Sequence, residues 1–154
     1  MDLGDLISPE SVIPTLKAKS KKQVLQELSS HAARLTKLPE RDIFDTLLQR
    51  ERLGSTGVGH GVAIPHGKLA TLDRITGLFA RLDTPIDFEA IDDQPVDLIF
   101  LLLAPESAGA DHLKALARIS RLLREPSAVE KLRGSKDSTT MFAVLTETAT
   151  SHAA

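Results

Sequence analysis

Cysteine is missing from this chain, as are tryptophan and tyrosine. Without a thiol, disulfides, thiolate catalysis and zinc–thiolate sites are excluded. Aromatic residues make up 3% of the chain, all of them Phe, which argues against stacking platforms for single-stranded nucleic acid. Charge of one sign is also lacking. The formal net charge is -2, so no global field draws nucleic acid or an anionic membrane. No segment approaches the roughly 20 apolar residues that span a bilayer. The start, Met1-Asp2-Leu3-Gly4-Asp5, is acidic and shows no signal peptide. No membrane insertion is expected, and the cytoplasm is the expected compartment.

What is present is an ordinary globular composition, 42% apolar and 26% charged over 154 residues. There is no internal repeat or linker. One domain is expected over residues 1–147, followed by a small polar tail at 148–154 that is expected to be flexible.

Periodicity divides the chain into alternating elements. Ser20 can cap a helix over 21–36, with Val24, Leu28, Ala32 and Leu35 at helical spacing. A second helix is expected over 39–52, with Pro39 in its first turn and Ile43, Phe44, Leu47 and Leu48 on one face. Short strands are expected at 61–64 and 76–82. Residues 96–104 are apolar except for Asp97, the pattern of a strand covered on both faces by helices. Asp111 can cap a helix over 112–124, Pro126 ends it and opens a short segment, and 139–146 completes the set. The expected fold is α/β, a mixed β-sheet flanked by helices on both faces.

Five of the nine glycines, at 54, 57, 59, 61 and 67, crowd into one stretch that includes Ile64-Pro65-His66-Gly67. Pro65 has a fixed φ and pushes Ile64 into an extended conformation. Gly67 is expected to let the chain turn sharply after it. His66, held between them on stiff backbone, has the setting of a nucleophile or of a surface histidine in a structural turn. Ser55 and Thr56 can donate hydrogen bonds to an anion or cap the turn. The glycines fit neither nucleotide-loop order.

Arg50 continues the apolar face of its helix, so it reaches along its stem to solvent or meets an anion; its planar fork of donors suits phosphate oxygens. His112 falls in the first turn of its helix, in line with Leu116, Ile119 and Leu123. A packed core histidine is one reading. The other is a ligand group, because the position lies beyond the carboxyl end of a central strand and at a helix N-terminus. His31 reads as structural, His60 as exposed, and His152 as part of the tail.

Arg50-Glu51-Arg52-Leu53-Gly54-Ser55-Thr56-Gly57 and Gly61-Val62-Ala63-Ile64-Pro65-His66-Gly67-Lys68 resemble the signature of the enzyme IIA domains of the bacterial phosphoenolpyruvate phosphotransferase system, mannitol/fructose and nitrogen-regulatory class. Ile86-Asp87-Phe88, Gln94-Pro95-Val96-Asp97-Leu98, Leu103-Ala104-Pro105 and Asp111-His112-Leu113 extend the likeness, which runs from about Leu6 to Leu145. The resemblance implies that His66 accepts a phosphoryl group from the histidine-containing phosphocarrier protein (HPr) or its nitrogen-type paralogue. It also implies that His112 is the second active-site histidine and that Arg50 steadies the phosphate. Neither cofactor nor metal is implied. The nitrogen-regulatory type is the better match, with sensor kinases and potassium-transport proteins as its targets. A sugar-transport member would pass the phosphate to a fructose or mannitol IIB domain instead.

Two other classes stand beside this one. A metal-dependent hydrolase would take His60, His66, His112 and Asp111 as ligands, although His60 and His66 lack helical ligand spacing. A binding module would share the fold, with phosphorylation incidental to its role.

Overall fold

The computed structural model describes residues 2–147. Short 3-10 turns lie at Leu3–Asp5, Pro9–Ser11 and Glu106–Ala108, and eleven strands and helices are described. They are β1 (Val12–Leu16), α1 (Lys21–Thr36), α2 (Glu40–Arg52), β2 (Gly57–Gly59), β3 (Val62–Ala63), β4 (His66–Leu69), β5 (Thr76–Ile86), β6 (Val96–Pro105), α3 (Ala110–Leu122), α4 (Pro126–Gly134) and α5 (Ser138–Leu145).

Side chains satisfy free N–H groups at the starts of α1 and α5. Ser20 Oγ accepts from Gln23 N at 3.1 Å, and Gln23 Oε1 accepts from Lys19 N at 2.8 Å, so α1 opens as expected. It closes at Lys37, whose φ of 64° is left-handed. Pro39 occupies the N-cap position of α2, one residue outside it and without a side-chain hydrogen bond, and Ile43 and Leu47 bury the inner face. Pro126 is the first residue of α4, and Asp137 caps α5 through the N–H groups of Thr139 and Thr140.

The sheet runs in the order β1-β5-β6-β3-β2, with β4 also pairing β6. β5 and β6 are antiparallel, β3 and β4 both run parallel to β6, and β1 is parallel to β5. The sheet is therefore mixed, as expected. Along β6, Ile99, Leu101 and Leu103 enter the core beneath α1 and α2, while Leu98, Phe100 and Leu102 enter the core beneath α3, α4 and α5. Strand alternation thus sends successive residues from Leu98 to Leu103 into one core or the other.

Several boundaries differ from expectation. β5 continues to Ile86 and β6 to Pro105. The edge strand β1 is not expected at all, because it is short and contains Pro14. α3 starts at Ala110 with Gly109 (φ 57°) at its N-cap, so Asp111 sits within the first turn and is not the cap. Gly67 does not turn the chain. It lies within β4, opposite Leu103 of β6. The tail at 148–154, with His152, lies outside the described residues.

Candidate functional site

β3 and β4 meet at Ile64-Pro65, and both run along β6. Pro65 cannot donate, yet its carbonyl accepts from Leu102 N at 3.0 Å, so the strand line continues through it. His66 is therefore the first residue of β4 and is held in register with Leu102. Gly67 follows because α2 packs closely here. A Cβ at residue 67 would lie 2.7 Å from Thr46 Cγ2.

The imidazole of His66 is half-buried, and each ring nitrogen has a different partner. Nδ1 lies 2.9 Å from the Ile64 carbonyl oxygen, which can only accept; Nδ1 therefore carries the proton. Nε2 is left with the lone pair and accepts from Arg50 Nε at 3.3 Å. Arg50 stands in the last turn of α2, and its Nη1 also donates to the Gly54 carbonyl at 2.9 Å. Its stem follows the apolar face, and its fork ends on the histidine.

His112, in the first turn of α3, stacks at a tilt against His66, with ring centroids 5.7 Å apart and planes at 53°. It is only 7% exposed, and its Nδ1 is buried with no hydrogen-bond partner among the described residues. Buried polar atoms are ordinarily paired, so this unpartnered nitrogen beside a second imidazole departs from the rule. Both histidines are held below the ordinary imidazole value. For His66 the main cause is burial, opposed by the Ile64 carbonyl and reinforced by the Arg50 charge. For His112 the cause is again burial, then the charges of His66 and Lys68. Both rings are neutral at neutral pH, and a neutral ring is the nucleophilic form.

The structure thus brings Arg50, His66 and His112 together from three separate elements. Ser55 and Thr56 serve the loop between α2 and β2. Ser55 Oγ donates to the Phe88 carbonyl at 2.9 Å and accepts from Gly57 N at 3.0 Å. Thr56 gives its hydroxyl and its N–H to the Glu51 carboxylate. In this state both hydroxyls hold the loop in shape and are not open to an anion.

His60 is exposed on the β2–β3 turn, with its N–H bonded to Asp92 Oδ2 at 2.9 Å. His31 is half-buried on α1 and pairs with Arg34. Among the described residues no three His, Asp or Glu side chains group so as to hold a metal ion, so the four-ligand hydrolase has no site. No described helix is long and apolar enough to cross a membrane. Glu51 is the site neighbour that sequence reasoning misses. A carboxylate between two arginines reads as solvent charge, although its place in a helix's last turn, where the dipole opposes it, is a faint signal of a specific partner.

The family model for the phosphoenolpyruvate-dependent sugar phosphotransferase system, EIIA 2, matches residues 5–148. A nitrogen regulatory protein of Bradyrhizobium diazoefficiens is 63% identical over 145 residues, covering 94% of this chain and 95% of that one. The crystal structure of nitrogen regulatory protein IIA-Ntr from Neisseria meningitidis superposes with a TM-score of 0.89 at 37% identity, covering 94% of this chain and 99% of that one. The IIA mannitol structure from Escherichia coli superposes at 0.77 with 18% identity, covering 90% of this chain and 98% of that one, which shows a shared fold.

Proposed function

Given that the chain belongs to the phosphotransferase-system EIIA 2 family, we propose that it is a phosphocarrier that takes its phosphoryl group on Nε2 of His66. The observation that carries this reading is the division of labour on the ring. Nδ1–H is tethered to Ile64, and the Nε2 lone pair faces Arg50. The donor is a phosphohistidine of the histidine-containing phosphocarrier protein, in its nitrogen-type or sugar-type form.

In the transfer, the Nε2 lone pair attacks phosphorus as the bond from phosphorus to the donor's ring nitrogen breaks in line with it. The departing imidazole keeps the bonding electron pair. The proton on Nδ1 stays in place, and the Ile64 carbonyl that accepts it supports the positive charge the ring acquires. Arg50 gives up its bond to the lone pair and turns its fork to the phosphoryl oxygens, where a planar pair of donors suits the geometry. His112, whose ring centroid lies 5.7 Å from that of His66, supplies another polar group near the same oxygens. No nucleotide charge has to be neutralised, so this scheme draws on no metal.

A half-buried nucleophile suits a protein donor whose own histidine must enter. Leu53, three residues beyond Arg50, and Leu113, beside His112, are 84% and 67% exposed and offer apolar contact to such a partner. The relatives' name, nitrogen regulatory protein, supports a regulatory output; we place that output in the cytoplasm. Phosphorylation adds about two negative charges at this surface. Sensor kinases and potassium-transport proteins are the targets we assign to that change.

The test is intact-mass spectrometry after incubation with phosphoenolpyruvate, enzyme I and either phosphocarrier. One acid-labile adduct on the wild type and none on His66→Ala is the expected result. No adduct with either carrier would leave a binding module as the better account. Rapid onward transfer to a fructose or mannitol IIB domain would move the protein to the sugar branch.

A further inference from the structure

We infer that Glu51 is a positioning residue for transfer at His66, orienting both the imidazole and the Arg50 fork through the loop at 54–57; the inference rests on the phosphocarrier reading above. Glu51 directly follows Arg50 in α2, and its side chain is only 4% exposed. A carboxylate tolerates such burial when donors meet its oxygens. Three do so here. Lys21 Nζ lies 3.0 Å from Oε1, Thr56 N–H donates to Oε1 at 3.0 Å, and the Thr56 hydroxyl donates to Oε2.

Two hydrogen-bonded arms lead from this anchor to the site. In the first, the Thr56 carbonyl accepts from Ile64 N–H at 3.0 Å, and the Ile64 carbonyl accepts from His66 Nδ1–H at 2.9 Å. In the second, the Gly54 carbonyl, at the start of the same loop, accepts from Arg50 Nη1 at 2.9 Å. Lys21 also lies 4.8 Å from the centroid of the Phe88 ring, and the Phe88 carbonyl accepts the Ser55 hydroxyl. The anion therefore fixes the loop, and the loop fixes the groups that bear on both ring nitrogens of His66. With Thr56 loosened, the Ile64 carbonyl loses its fixed place, the Nδ1 proton is no longer held, and the tautomer with a blocked Nε2 becomes populated.

The test uses the intact chain carrying Thr56→Val, Thr56→Ser or Glu51→Gln. Three readouts apply: the His66 ring-nitrogen NMR signals without phosphate, the phosphorylation rate against carrier concentration, and unfolding in urea. Thr56→Val should move the His66 signals toward a mixed tautomer. It should also cut kcat by roughly tenfold, as small misplacements of reacting groups do. The KM for the carrier should stay within about twofold, because Thr56 is buried away from the partner. Thr56→Ser, which keeps the hydroxyl, should restore the wild-type tautomer and rate. Thr56→Val removes only one of three donors, so it carries the test if Glu51→Gln does not fold. A folded Thr56→Val protein with wild-type tautomer and kcat overturns the proposal. The tautomer readout needs no phosphoryl donor. A wild type that takes no phosphate therefore refutes the phosphocarrier reading alone.

Discussion

The ring of His112 lies 5.7 Å from that of His66, and its buried Nδ1 has no hydrogen-bond partner among the described residues. A packed histidine whose only duty is to fill space would ordinarily have that nitrogen satisfied. Its ring packs directly on that of the proposed phosphate acceptor, and this relationship sets the first expectation.

His112→Ala should leave His66 able to take the phosphate but slow its arrival. Loss of one preorganised polar group at developing charge costs on the order of 100-fold in rate. Single-turnover phosphorylation followed to completion checks this, with a full final adduct expected. Wild-type kinetics would return His112 to a packing role.

Arg50→Lys should also be damaging. A lysine keeps the charge but loses the fork that now spans His66 Nε2 and the Gly54 carbonyl. A drop of about tenfold or more in kcat is expected, the scale of a lost bidentate contact. The same assay reads it.

The two depressed histidines of the site make stability depend on pH with a definite sign, and His31, also held low chiefly by burial, adds to it. Both ring values lie below their unfolded value in the folded protein, chiefly through burial. The unfolded chain therefore binds more protons as pH falls through about 6.5, and the folded state loses stability there. Above that value their contribution is fully present. Urea unfolding at a series of pH values should show the acid-side decline, and His112→Gln should flatten it. An unchanged slope in that variant would contradict the assignment.

Gly67→Ala should destabilise the fold by about 1–3 kcal/mol, the usual cost of overpacking. The added Cβ would lie 2.7 Å from Thr46 Cγ2. Thr46→Ser removes that methyl, so in the double variant much of the loss should return. Additive losses in urea unfolding would show that the close approach is not the cause.

Gly67 also shows where sequence reading stops. A glycine after Pro-His serves equally as a turn or as a gap for a neighbouring helix, and only the packing of α2 on β4 decides. The helices α1 and α2 are legible almost to the residue, because a cap, a proline and an apolar face mark them. β6 is legible because helices cover both its faces and leave no alternation to confuse. β1 escapes notice because Pro14 interrupts a five-residue edge strand. The meeting of Arg50, His66 and His112 is foreshadowed by a helix end, a glycine-dense loop and a helix start around a central strand. Glu51 is not, since nothing in its neighbours tells a buried anchor from a surface charge.

The central claim is that phosphate resides on Nε2 of His66, with Nδ1 kept protonated by Ile64. The most direct measurement is nitrogen–phosphorus coupling by NMR on the phosphorylated, nitrogen-15-labelled protein. A single coupling to Nε2 of His66, with Nδ1 still protonated, is the predicted result. Coupling to Nδ1, or to the ring of His112, would contradict it.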